Sequence, residues 1–72
     1  MTNSTFELMR NNLKKFRLAK NISQEQLGEQ CGISSDYISE IERGKKTPSL
    51  KRLDIIAKAL KIELYKFFKD NS

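Results

Sequence analysis

The stretch that decides the fold is Ser23-Gln24-Glu25-Gln26-Leu27-Gly28-Glu29-Gln30-Cys31-Gly32-Ile33, continuing as Ser34-Ser35-Asp36-Tyr37-Ile38-Ser39-Glu40-Ile41-Glu42. Ser23 with Gln26 three residues on is a capping-box pattern, so a helix opens at Gln24 and runs to about Cys31. Gly32 stops it, and Ser34 is a natural N-cap for a second helix, Ser35 to about Arg43, which Gly44 ends. Two helices this short, joined by so tight a turn, must cross closely. The first then needs an apolar residue facing inward and a very small one at the crossing. The turn needs an apolar anchor, and the second helix needs apolar residues on its inner face alone. Leu27, Gly28, Cys31, Gly32, Ile33, Ile38 and Ile41 meet these demands in order. Gly28 in mid-helix costs roughly 1 kcal/mol relative to Ala, so close approach of the second helix is the reason for it. Cys31 fills an apolar position and reads as core.

The flanks extend the helical pattern. Ser4 and Glu7 form another capping-box pattern, followed by the stripe Phe6, Met9, Leu13, Phe16 of an amphipathic helix that ends near Lys20, with Asn21 closing it. After the loop Lys45-Lys46-Thr47-Pro48, either Thr47, with Pro48 at the first helical position, or Ser49 caps a fourth helix. That helix carries Leu50, Leu53, Ile56, Ala57 and Leu60. Glu63 to Lys69 reads as a fifth, with Leu64 and Phe67 completing the core. No stretch alternates as a strand does. The expectation is one compact all-α domain of about five short helices, spanning 1–72.

Composition excludes several function classes. A 72-residue chain is too small to line an active-site cleft from several directions. There is no histidine and one cysteine, Cys31, so neither an internal disulfide nor a usual zinc set can be assembled, which fits a reducing compartment, the cytoplasm. Met1 to Phe6 is polar, with no apolar run suited to export or membrane spanning. No phosphate-cradling glycine loop, cofactor site or small-molecule site is evident. We expect no enzyme here and no metal.

The net charge of +5 invites a polyanion, and its distribution is uneven. Residues 1–20 carry +4, residues 21–42 carry −5 with no Lys or Arg, and residues 43–72 carry +6. The decisive stretch is acidic and its flanks are basic.

Helix, turn and second helix with these inward residues form a helix-turn-helix, whose second helix enters the DNA major groove. The chain resembles the lambda-repressor and Cro family (XRE-like) in Leu13 to Lys20, Ile22 to Gly28, Tyr37 to Gly44, and from Pro48-Ser49-Leu50 to Phe67. Tyr37-Ile38-Ser39 with Ile41-Glu42-Arg43, and the chain's size, also resemble the controller proteins of restriction–modification systems. The resemblance implies a transcriptional regulator of double-stranded DNA. Ser23 and Gln24 match the helix start that meets backbone phosphate, in accord with the affinity of helix N-termini for anions. Ser34, Ser35, Asp36, Tyr37, Ser39 and Glu40 match the groove-facing positions. Arg43, Lys45 and Lys46 match the phosphate-gripping loop. Arg17 and Glu42 match an internal salt bridge between first and third helices.

Each role has a plainer counterpart. Asp36 also stabilises its own helix N-terminus; as a reader, it and Glu40 would accept from cytosine N4, whereas the commonest base contact, Arg to guanine, is lacking. Tyr37 packs on a sugar or thymine methyl, or merely covers the domain edge. Arg17 and Glu42 are otherwise ordinary surface charges, and Lys14, Lys15, Lys58 and Lys61 read as solvated faces. Tyr65 and Phe68 are surplus to the core and point to a dimer contact, or else to a satellite cluster.

The leading expectation is a homodimeric repressor on a pseudo-palindromic operator, acting by promoter occupancy or by touching RNA polymerase. The alternative, favoured by the acidic stretch, is a protein-interaction module such as an antitoxin or adaptor that keeps the fold.

Overall fold

A computed structural model describes residues 4–70; Met1 to Asn3, part of the polar start, lie outside the described residues. Four α-helices follow one another: α1 (Thr5–Ala19), α2 (Gln24–Cys31), α3 (Ser35–Glu42) and α4 (Leu50–Leu60). The fifth element, Leu64–Phe68, is a 3-10 helix, slightly shorter than the fifth helix expected over Glu63 to Lys69. No strand occurs among the described residues.

Local chemistry sets the helix starts. Ser4, Ser23, Ser34 and Ser49 all accept a bond from the backbone N–H three residues on, at 3.0–3.1 Å. At Ser23 the box closes, since Gln26 Oε1 accepts from the Ser23 amide at 2.8 Å. At Ser4 only the serine half forms. Ser49 caps α4, not Thr47, and Pro48 is buried just before it.

The core unites Met9 and Leu13 of α1, Leu27 of α2, Ile38 and Ile41 of α3, Leu53, Ile56, Ala57 and Leu60 of α4, and Phe67. Two stripe residues do not join it. Phe6 is 59% exposed and Leu50 is 67% exposed, each in the first turn of its helix. Phe16 is partly buried and meets Phe67 edge to face, with ring centroids 6.2 Å apart.

The 3-10 helix is tied down by a buried polar residue. Asn12 of α1 donates through Nδ2 to the carbonyls of Phe67 at 2.8 Å and Lys69 at 3.0 Å, with Lys66 at 3.3 Å. A buried amide must find partners, and here they are carbonyls at the C-terminal end of the 3-10 helix, of which that of Lys66 also accepts from the Lys69 amide at 3.4 Å. Burial also pushes the Cys31 thiol above its ordinary value, in keeping with its partly buried place against the core.

Candidate nucleic-acid interface

Gly28 sets the angle between α2 and α3. A Cβ there would collide with the Ile33 carbonyl oxygen and lie 3.3 Å from Ser34 C and Ser35 N. All of these are backbone, which cannot swing away as a side-chain tip would. The closeness of this crossing fixes how α3 stands out from the domain.

α3 is then locked from inside. Arg17 Nε donates to Glu42 Oε2 at 2.7 Å and Nη2 to Oε1 at 3.1 Å, a two-pronged pair, while Nη1 donates to the Ile22 carbonyl at 2.9 Å. The two side chains are 8% and 4% exposed. Gln24 Nε2 joins the same carboxylate at 2.9 Å. Removing one partner of such a buried pair strands the other charge, at a cost of about 3–5 kcal/mol. Gln24 is therefore tied to the lock. Its amide nitrogen carries two hydrogens, so one donor remains beyond the bond to Glu42.

The outer side of α3 carries the sequence-predicted positions. Ser34 and Asp36 are exposed, and Ser35, Tyr37, Ser39 and Glu40 are half-buried. Asp36 lies in the first turn of α3. Ser23 and Ser34 are the caps described above, so their hydroxyl oxygens are already engaged. Glu40 sits 4.0 Å from Lys46 Nζ, and its backbone carbonyl accepts from the amides of Lys45 and Lys46 at 2.8 and 3.2 Å. The loop after α3 is thus clipped to the helix, and Arg43, Lys45 and Lys46 are all exposed on it. Gly44, at φ 79°, makes the reversal.

Two cations join this face from elsewhere in the chain. Arg10 of α1 lies against Gly44, where a Cβ would sit 3.0 Å from its Cζ and Nε. Arg52 of α4 places its Cζ 4.9 Å from the Tyr37 ring centroid, and Lys46 Nζ lies 6.0 Å from the same centroid. Sequence reasoning counted both arginines only as part of the basic flanks. No periodicity or cap marks them, because their partners are distant in the chain.

Away from this face, Tyr65 and Phe68 are 60% and 38% exposed on the 3-10 helix, while Phe67 between them is fully buried. Among the described residues no cluster suited to a metal ion occurs, and no helix is long and apolar enough to cross a membrane.

Comparison with known proteins agrees with this geometry. A helix-turn-helix family model (HTH_3) matches residues 13–67. Control protein C.BamHI of Bacillus amyloliquefaciens is 41% identical over 64 residues, covering 88% of this chain and 79% of that protein. Control protein C.SmaI of Serratia marcescens is 41% identical over 54 residues, 75% of this chain and 64% of that protein. The crystal structure of the restriction–modification controller protein C.AhdI from Aeromonas hydrophila superposes with a TM-score of 0.83 at 33% identity, covering 88% of this chain and 91% of that one. The chain belongs to the lambda-repressor and Cro-like (XRE-like) helix-turn-helix family of DNA-binding transcriptional regulators, with restriction–modification controller proteins among its relatives.

Proposed function

We propose that this protein acts in the cytoplasm as a homodimer, occupies a pseudo-palindromic operator and represses the promoter it covers, with RNA polymerase as the neighbour it excludes or touches. The observation that carries this reading is the division of charge around α3. The helix itself is held inward by the Arg17–Glu42 pair, while the exposed cations Arg43, Lys45 and Lys46 follow its C-terminal end.

Phosphate binding supplies affinity without sequence information, and groups on the groove-facing helix supply specificity. In this reading Arg43, Lys45 and Lys46 grip phosphate, joined by the remaining Gln24 donor and the start of α2 at Ser23. Ser34, Ser35, Asp36, Tyr37, Ser39 and Glu40 meet the base edges and sugars. Exposed Tyr65 and Phe68 support pairing of two copies through the 3-10 helix, which would set two α3 helices about 34 Å apart, one turn of duplex.

The test selects duplexes from a random library with the wild-type chain, then measures binding against salt alongside sedimentation. Lys45→Ala with Lys46→Ala is expected to weaken binding to selected and scrambled duplexes alike and to lower the log–log salt slope by about 1.8. Tyr65→Ser with Phe68→Ser is expected to shift the chain to monomer and weaken binding to palindromes more than to half-sites. Salt-insensitive or absent binding would instead favour the fold as a protein-interaction module, antitoxin-like, working through its acidic segment.

A further inference from the structure

Residues 21–42 contain no Lys or Arg, so whatever positive charge reaches the recognition helix must be brought by another element. Arg52 is the third residue of α4, and that turn is fixed by the Arg52 amide donating to Ser49 Oγ at 3.1 Å. Its guanidinium carbon lies 4.9 Å from the centre of the Tyr37 ring, inside the range for a cation over an aromatic face. Tyr37 is itself fixed, since its amide donates to Ser34 Oγ at 3.1 Å. Both partners of the stack therefore stand on capped first turns.

A guanidinium stacked on a ring spends its face and keeps its in-plane N–H donors. Among the described residues, no hydrogen bond or ion pair engages those donors. Arg52 is exposed, and it shares the Tyr37 ring with Lys46, whose Nζ lies 6.0 Å from the centroid. The arginine thus extends the row of loop cations, where the DNA-binding reading above puts the phosphate backbone. We propose that Arg52 is a DNA-contacting residue, carried to the recognition face by its stack on Tyr37, and that it binds a phosphate flanking the half-site. Tyr37 is the positioning residue for this contact.

This inference rests on the DNA-binding reading above, and the experiment separates the two. Binding of the full chain to a selected duplex and to a scrambled one is followed by fluorescence anisotropy through a salt titration. The variants are Arg52→Met, Tyr37→Leu, the pair together, and Lys14→Met, which removes one charge from an exposed position on α1. Arg52→Met lowers the salt slope by about 0.9 on both duplexes and weakens binding about fivefold at physiological salt. Tyr37→Leu removes no charge yet lowers the slope comparably, and the double variant lowers it little further, the non-additivity of two groups acting as one. Lys14→Met keeps the wild-type slope, and thermal unfolding confirms that each variant is folded. An unchanged slope in Arg52→Met overturns the contact. A loss confined to one base pair makes Arg52 a base reader and overturns the phosphate assignment. A normal slope in Tyr37→Leu overturns delivery by stacking, and an equal fall in Lys14→Met reduces the effect to net charge. If the wild type binds no duplex in a salt-dependent way, the DNA reading itself fails.

Discussion

α1, α2 and α4 end alike: a left-handed residue, Asn21, Gly32 or Lys61 (φ 62°, 69° and 60°), is followed by an isoleucine. The isoleucine amide reaches back to an earlier carbonyl, Ile22 to Arg17 at 3.4 Å, Ile33 to Gly28 at 2.9 Å and Ile62 to Ala57 at 3.0 Å. Each isoleucine packs against the core, the apolar contact that commonly accompanies this kind of helix end. α3 ends on the same path. Gly44 is left-handed at φ 79°, and the next amide reaches the Glu40 carbonyl at 2.8 Å. Yet that next residue is Lys45, which is exposed. One backbone device serves four helices, and a single side chain sets the end of α3 apart from the other three. Where the others spend this position on packing, α3 leaves it charged and is held from within, by Glu42 on Arg17.

Substitutions at these helix ends separate packing from charge. The largest effect is expected where α3 has its only substitute for an apolar plug. Glu42→Ala should cost about 3–5 kcal/mol and lower the unfolding midpoint by more than about 10 °C, read by calorimetry. A loss under about 1 kcal/mol would mean that the pair is dispensable and α3 is held by Ile38 and Ile41 alone.

Next comes the exchange of roles. Ile33→Lys places at the end of α2 what the end of α3 carries, and should destabilise the domain by about 2 kcal/mol through lost burial, read by urea unfolding. The reverse exchange, Lys45→Ile, should hold or raise stability, by about 0.5 kcal/mol, while lowering the salt slope of DNA binding by about 0.9. If Lys45→Ile also destabilises, the position is structural and the comparison is wrong.

The smallest effect concerns Cys31, last residue of α2. Burial raises its folded thiol above the ordinary value of 9.0. The unfolded chain then loses that proton first as pH rises, so the unfolded state is favoured at alkaline pH. Stability should fall between the unfolded and folded thiol values, and Cys31→Ala should flatten that fall when urea midpoints are compared on either side of the ordinary value.

Much of this is legible in the sequence. Ser23 with Gln26, Gly32 and Ser34 announce two helix boundaries because caps and left-handed stops act within a few residues. Gly28 announces a close crossing because nothing else justifies a glycine in mid-helix. Phe6 and Leu50 are exposed although they lie on the apolar stripes, since the apolar period says which face a residue is on but not how much of that face is covered. Asn12 carries no local signal, and Arg10 and Arg52 show in the sequence only as part of the basic flanks. Asn12 bonds Phe67 across 55 positions, and the partners of the two arginines, Gly44 and Tyr37, are also distant in the chain. Their residue types are ordinary for exposed helix positions.

By itself, then, the sequence determined the helices, the turn between α2 and α3 and the inward face of each, because those are short-range matters of capping, backbone freedom and apolar period. It also determined that residues 21–42 are acidic between basic flanks. Only the tertiary structure decided which charges are spent and which remain. Arg17 is consumed by Glu42 inside the domain, whereas Arg52 and Lys46 flank Tyr37 at the surface. Charge has no periodicity of its own, and its environment is set by whichever element the packed core brings alongside.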